Sequence, residues 1–184
     1  MSEASSMPLP TSELAARIAE VSLLRGEFTL RSGQKSSYYL DKYLFSTQPE
    51  ILEELGRTFA ERLPEGTTLL AGAELGGIPL VSAAAIASGL PCVFIRNAKK
   101  EYGTSKQLEG VISAGDKVVV LEDVATTGGQ VLEAVEVLRS KGAEVTMVIS
   151  TIDRLSGARE NIEAAGVTYD TIFTVHDLGI DPSE

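Results

Sequence analysis

The chain has 184 residues, 43% hydrophobic and 23% charged, which suits one globular domain with a sizeable core and argues against a fibre or a disordered chain. A net charge of -10 would repel a nucleic-acid backbone unless one face were locally basic, so general DNA or RNA binding is disfavoured while small anionic ligands stay open. The single cysteine, Cys92, cannot close an intramolecular disulfide, and no pair or quartet has metal-ligand spacing, which points to a reducing cytoplasm.

Residues 1–10 lack the basic and apolar regions of a signal peptide and read as a loose tail. Thr11 is placed to cap a first helix, with Leu14, Ile18, Val21 and Leu24 on one face. Residues 49–63, "PEILEELGRTFAERL", form a second amphipathic helix started by Pro49. Periodicity then changes to short runs rich in branched and aromatic residues: "TTLLAG" (67–72), "PCVFIR" (91–96), "KVVVLED" (117–123), "AEVTMVIS" (143–150) and "YDTIFTV" (169–175). Strands alternating with helices predict an α/β domain built on a mostly parallel, doubly wound sheet. Residues 75–95 carry no charge and approach the length of about 20 that a spanning helix needs. Gly76, Gly77, Pro79, Gly89 and Pro91 break that run into a buried helix and a strand. Residues 97–116 would make a long bare loop, so "QLEGVI" (107–112) is expected to fold back on "KVVVLED" through the turn "SAGD", leaving 97–106 as a mobile lid. There is no repeat and no second domain in residues 1–184.

The main chemical signal is "EDVATTGGQ" (122–130), two acids, two threonines and two glycines behind an apolar strand. In an open parallel sheet, ligands bind beyond the carboxyl ends of strands, where loops enter helices. Gly128 and Gly129 let backbone approach a ligand, and the helix N-terminus that follows suits a phosphate. Glu122 and Asp123, as carboxylates, only accept hydrogen bonds and would take those of two adjacent sugar hydroxyls. The pattern reads as a cradle for a ribose 5-phosphate. A Walker loop or a dinucleotide fingerprint would need residues that are not there.

Residues 96–106 hold Arg96, Lys99, Lys100 and Lys106 against one acid, Glu101, a local reversal of the chain's charge. A pyrophosphate leaving a sugar develops charge that such cations would stabilise, and Gly103, Thr104 and Ser105 would let the segment open and close. "GAELGGIPL" (72–80) offers a second backbone turn between strand and helix.

"VVVLEDVATTGGQ" (118–130) resembles the signature of the type I phosphoribosyltransferases, which bind 5-phosphoribosyl 1-diphosphate. That resemblance implies their fold: a central, mostly parallel sheet flanked by helices, an N-terminal hood (here 11–45) and a flexible catalytic loop. It makes the turn at Ala73 and Glu74 the pyrophosphate loop, with a non-proline cis peptide expected near those two residues. Three further stretches resemble the orotate-using branch: "GEFTLRSGQKSSYYLDKYLF" (26–45), "IRNAKKEYGTSKQLEG" (95–110) and "TIDRLSG" (151–157). The branch implies that Arg154 pairs with the orotate carboxylate, that Thr126 contacts the base, and that Tyr38 and Tyr39 pack on it. Glu122, Asp123, Val124, Ala125, Thr126, Thr127, Gly128, Gly129 and Gln130 would hold the ribose phosphate. It further implies a homodimer whose lids reach the neighbouring site, so that Arg96, Lys100 and Tyr102 serve the partner's pyrophosphate with Arg31 adding a contact. Lys100, Arg96 and Asp123 are then the catalytic candidates, and magnesium (Mg2+) comes with the pyrophosphate. The sequence departs from the branch at Asn97 and Gly76, where relatives carry lysine, and at Tyr102, where many carry histidine. The only histidine, His176, reads as structural. Two alternatives stay open. A purine or uracil phosphoribosyltransferase would share the cradle without needing Arg154, and a non-catalytic regulator could bind the same sugar diphosphate as a signal.

Overall fold

The computed structural model describes residues 11–29, 35–97 and 107–181. Helix α1 (Thr11–Ser22) leads into the antiparallel pair β1 (Leu23–Thr29) and β2 (Lys35–Leu40), and a short helix α2 (Lys42–Ser46) follows. Asp41 caps α2 by accepting from the Tyr43 N–H, and its own N–H donates to Ser22 O at 2.9 Å, which ties α2 to the end of α1. Leu14 and Ile18 are buried as expected, but the helix ends before Leu24, which lies in β1, pairs with Tyr39 of β2 and is 40% exposed. The apolar spacing continued past the helix because the next element is itself half apolar.

The predicted alternation is observed. Helix α3 (Pro49–Glu61) starts at its proline, and then come β3 (Leu69–Ala73), α4 (Gly77–Ser88), β4 (Cys92–Ile95), β5 (Leu108–Glu109), β6 (Lys117–Ala125), α5 (Gly129–Arg139), β7 (Glu144–Asp153), α6 (Ala158–Ala164) and β8 (Thr168–Thr174). The sheet order is β5-β4-β3-β6-β7-β8, parallel except for the edge strand β5. The expected hairpin between residues 107–112 and β6 does not form. Both edges of β6 are taken by parallel partners, Leu70 opposite Val119 and Val148 opposite Val120, so β5 pairs with β4 instead.

Side chains alternate along β6 and feed two cores. Val119 and Leu121 face Phe45, Leu55, Phe59 and Leu80 from the α2–α4 side, while Val118 and Val120 meet Val131, Val135, Leu138 and Ile162 from α5 and α6. Each such large side chain taken fully out of water contributes about 1.5–3 kcal/mol before entropy is counted. A strand packed on both faces holds its C-terminal end rigidly, and that end carries the candidate site.

Candidate active site

Strand β6 runs further than "VVVL". Glu122 and Asp123 lie inside it, because β7 continues alongside with Ser150 opposite Glu122 and Asp153 opposite Ala125. The two acids are therefore not loop groups facing water: Glu122 is 7% exposed and Asp123 1%. Past Ala125 the chain turns through Thr126 and Thr127 into Gly128, whose φ of +78° favours glycine. A Cβ there would also come to 3.1 Å of Ile162. Asn161 Nδ2 donates to Thr127 O at 2.8 Å and fixes the turn from α6. Helix α5 then begins at Gly129 with the unbonded N–H groups of its first turn. Glu122 and residues 124–131 line a cavity of about 200 Å³ at this point, with Thr126, Thr127 and Gly129 exposed. Positive helix end, bare backbone, hydroxyls and one acid form a place for a phosphorylated sugar.

The electrostatics differ from the simple expectation of two ionised acids. Burial, and then the charge of Asp123, push Glu122 up to about 8, which favours its protonated form in the ligand-free site. Asp123 does not line the cavity but meets Lys42, the first residue of α2. Oδ1 of Asp123 accepts a 3.2 Å hydrogen bond from Lys42 Nζ, while Oδ2 lies closer, at 2.9 Å, but too obliquely for a hydrogen bond. Burial alone would lower the Lys42 ammonium, yet Asp123 and Glu122 outweigh it and the net shift is upward. Lys42 has no local sequence signal beyond being, with Asp41, one of two charges in the otherwise apolar and aromatic run "YYLDKYLF", because its partner is 81 residues away.

The second turn, between β3 and α4, closes on the first. A cis peptide joins Glu74 to Leu75, near Ala73 and Glu74 as expected. Gln130 Nε2 donates to Glu74 O at 3.4 Å and to Asn97 Oδ1 at 3.2 Å, so its amide tethers the two turns. Glu74 Oε1 accepts from Asn97 N at 2.7 Å, and the Arg96 N–H donates to Gln107 O at 2.8 Å, closing the neck of the basic segment. Arg96 lies 4.0 Å from Glu109. Lys99, Lys100, Tyr102 and Lys106 lie outside the described residues, as does Arg31.

On the β7 side, the Arg154 N–H donates to Ala125 O at 2.9 Å, which seats Arg154 beside the turn that begins at Thr126. Its guanidinium donates to Tyr38 Oη at 2.9 Å and lies 5.5 Å from the centre of that ring. The neighbouring Asp153 carboxylate instead accepts from Leu155 N at 2.8 Å. The two tyrosines of β2 part company: Tyr38 is buried at 5%, whereas Tyr39 is 45% exposed and packs on Phe28 with ring centres 5.7 Å apart. Tyr38 reaches Arg154; Tyr39 is not brought to it. His176 sits in the C-terminal 3-10 turn Val175–Leu178. Among the described residues, no three His, Cys, Asp or Glu side chains gather as a metal cage. No helix of the described residues is long and apolar enough to cross a membrane.

The phosphoribosyl transferase domain model matches residues 45–182. Orotate phosphoribosyltransferase of Natronomonas pharaonis is 47% identical over 156 residues, covering 85% of this chain and 89% of that protein. The crystal structure of Mycobacterium tuberculosis orotate phosphoribosyltransferase with Fe(III) dicitrate has a TM-score of 0.83 at 31% identity, covering 92% of this chain and 99% of that one. The same enzyme in complex with 5-phospho-alpha-D-ribosyl 1-diphosphate has a TM-score of 0.78 at 31% identity, with the same coverage of 92% and 99%.

Proposed function

Because the chain belongs to the phosphoribosyltransferase family, and within it to the orotate phosphoribosyltransferases, we infer that it transfers ribose 5-phosphate from 5-phosphoribosyl 1-diphosphate to orotate. The products are orotidine 5′-phosphate and diphosphate, a step of pyrimidine synthesis. The observation that carries the choice of base is Arg154, held by Tyr38 and bonded through its backbone to Ala125, next to the sugar-phosphate turn. A guanidinium there offers a two-pronged match to the carboxylate that distinguishes orotate from uracil and the purines. Thr126 follows Ala125 directly and borders both the base and the sugar.

The 5′-phosphate takes the N–H groups and hydroxyls of Thr127, Gly128 and Gly129, where the helix dipole favours an anion. Glu122 meets the ribose hydroxyls from the cavity wall, and Asp123 approaches from the Lys42 side. The bond from ribose C1 to the diphosphate oxygen breaks with its electron pair leaving on diphosphate, and a ring nitrogen of orotate forms the new bond to C1 while its N–H proton passes to the departing diphosphate or to water. Charge on the departing diphosphate is met by Arg96, Lys100, Tyr102 and Arg31 and by the backbone at Ala73 and Glu74. Magnesium would accompany the diphosphate, whose oxygens would supply most of its ligands, and would offset part of the charge on the leaving group. The chain works as a cytoplasmic homodimer in which the basic segment of one subunit serves its partner's site.

The deciding experiment supplies magnesium and 5-phosphoribosyl 1-diphosphate with orotate, uracil, adenine, hypoxanthine or xanthine in separate reactions. Loss of orotate absorbance alone is the expected result. Turnover of a purine or uracil would overturn the base assignment, and no turnover with tight binding of the sugar diphosphate would make the chain a regulator.

A further inference from the structure

Asp123 is enclosed from two sides by residues that come from distant parts of the chain. On one side stands Lys42 Nζ, 2.9 Å from Oδ2 and 3.2 Å from Oδ1. On the other lies Gly76, at the start of α4: a Cβ built there would fall 1.6 Å from Oδ2 and 2.6 Å from Cγ, so any side chain at 76 must push the carboxylate away. The backbone that carries Lys42 is fixed, because α2 is anchored by the fully buried Phe45 and by the Asp41 bond to Ser22. Two adjacent buried carboxylates, Glu122 and Asp123, need a cation or a proton to remain side by side. Among the described residues, Lys42 is the cation whose contact with that pair is observed.

We propose that Lys42 is a positioning residue for the transfer reaction, holding the Asp123 carboxylate over the bare backbone of Gly76 where it can take a ribose hydroxyl. The idea rests on the reading of this site as a sugar-diphosphate cradle. It also explains why the hood matters to the sugar as well as to the base: β2 carries Tyr38 to Arg154, and four residues later the same segment carries Lys42 to Asp123. Lys42 does not touch the reacting atoms in this proposal. It acts through the orientation of Asp123, so its loss should appear in sugar-diphosphate recognition before anything else.

The test compares wild type with Lys42→Met, Lys42→Arg and Gly76→Ala, after thermal melting has shown that each variant folds. Calorimetric titration with magnesium and 5-phosphoribosyl 1-diphosphate gives affinity without turnover, and steady-state rates give separate KM values for the sugar diphosphate and the base. Lys42→Met should weaken the sugar diphosphate about tenfold, as loss of a charged hydrogen-bond partner does, with less than about twofold change in the base KM. Lys42→Arg should restore most of that loss. Gly76→Ala should reproduce it with Lys42 in place, and adding Lys42→Met to it should cost little more, because both act on one carboxylate. A purely structural Lys42 would instead lower kcat with the folded fraction and leave both KM values unchanged. Unchanged affinity in Lys42→Met, or equal losses for sugar and base, overturns the proposal. Failure of wild type to use orotate strikes the assigned function, while the titration still reads Lys42.

Discussion

The Tyr38 hydroxyl accepts a 2.9 Å hydrogen bond from Arg154, joining the hood to the end of β7 across 116 residues of sequence. Tyr38 is itself buried, so it presents the guanidinium at a fixed angle and shields one face of it with its ring. Arg154→Ala should raise the KM for orotate about ten- to a hundredfold, the worth of a charged hydrogen bond, and change that for the sugar diphosphate far less. Arg154→Lys should rescue poorly, since an ammonium lacks the planar fork. Tyr38→Phe should cost about threefold by removing only the acceptor, and Tyr39→Phe nothing. Initial-rate measurements with orotate varied decide the set; equal sensitivity to both substrates would mean that Arg154 supports the fold rather than the base.

Glu122 makes stability depend on pH in the ligand-free protein. Its folded value is raised to about 8 from the ordinary 4.5, by burial and then by Asp123, with Lys42 pulling the other way. The folded state thus binds a proton that the unfolded chain has already lost. Its stabilising effect is complete below the ordinary carboxylate range and disappears as pH rises toward and through about 8. Melting temperature should therefore fall as pH rises from about 5 to about 8. Glu122→Gln, which mimics the protonated acid, should flatten the slope. An unchanged slope in that variant would assign the pH dependence to another group.

Gly128 and Gly129 are neighbours with different obligations. Gly128 sits at φ +78° with Ile162 only 3.1 Å from where a Cβ would stand, whereas a Cβ on Gly129 would meet nothing nearer than Thr127 Oγ1 at 3.8 Å. Gly128→Ala should destabilise the fold by about 1–2 kcal/mol and weaken the phosphate site with it. Gly129→Ala should leave the melting temperature nearly unchanged. Equal losses of stability would show that the left-handed turn is not what the pair of glycines provides.

These differences mark what could be read from the chain beforehand. The β6 turn was legible because its chemistry is local: an apolar run, two acids, two threonines and two glycines specify a strand end, a bare backbone and a helix start within thirteen residues. Arg154 was legible as a candidate, but its contact with Tyr38 depends on how the hood lies over the sheet. Period-two alternation explains why Tyr38 and Tyr39 cannot both face Arg154, yet not which of them does. The hairpin onto β6 was a misreading of the same kind, since a strand taken alone does not reveal that both its edges are occupied. Lys42 was missed altogether: the need for a cation beside Asp123 arises only once the sheet has buried the acids.

Lys100 lies outside the described residues, so its prediction rests on charge and on the resemblance of the segment around it. A cation that meets the diphosphate mainly as it departs should matter to the rate more than to binding. Lys100→Ala should therefore lower turnover far more than orotate affinity. Mixing this variant with Arg154→Ala then asks where the lysine acts. If each basic segment serves the partner's site, a mixed dimer holds one site with both an intact Arg154 and an intact Lys100, even though neither parent holds any. Random exchange of subunits should then restore about a quarter of wild-type activity, since half the dimers are mixed and half of their sites are whole. If the segment serves its own subunit, every site keeps one defect and activity stays at the level of the parents. A monomeric protein by light scattering would rule out the shared arrangement outright.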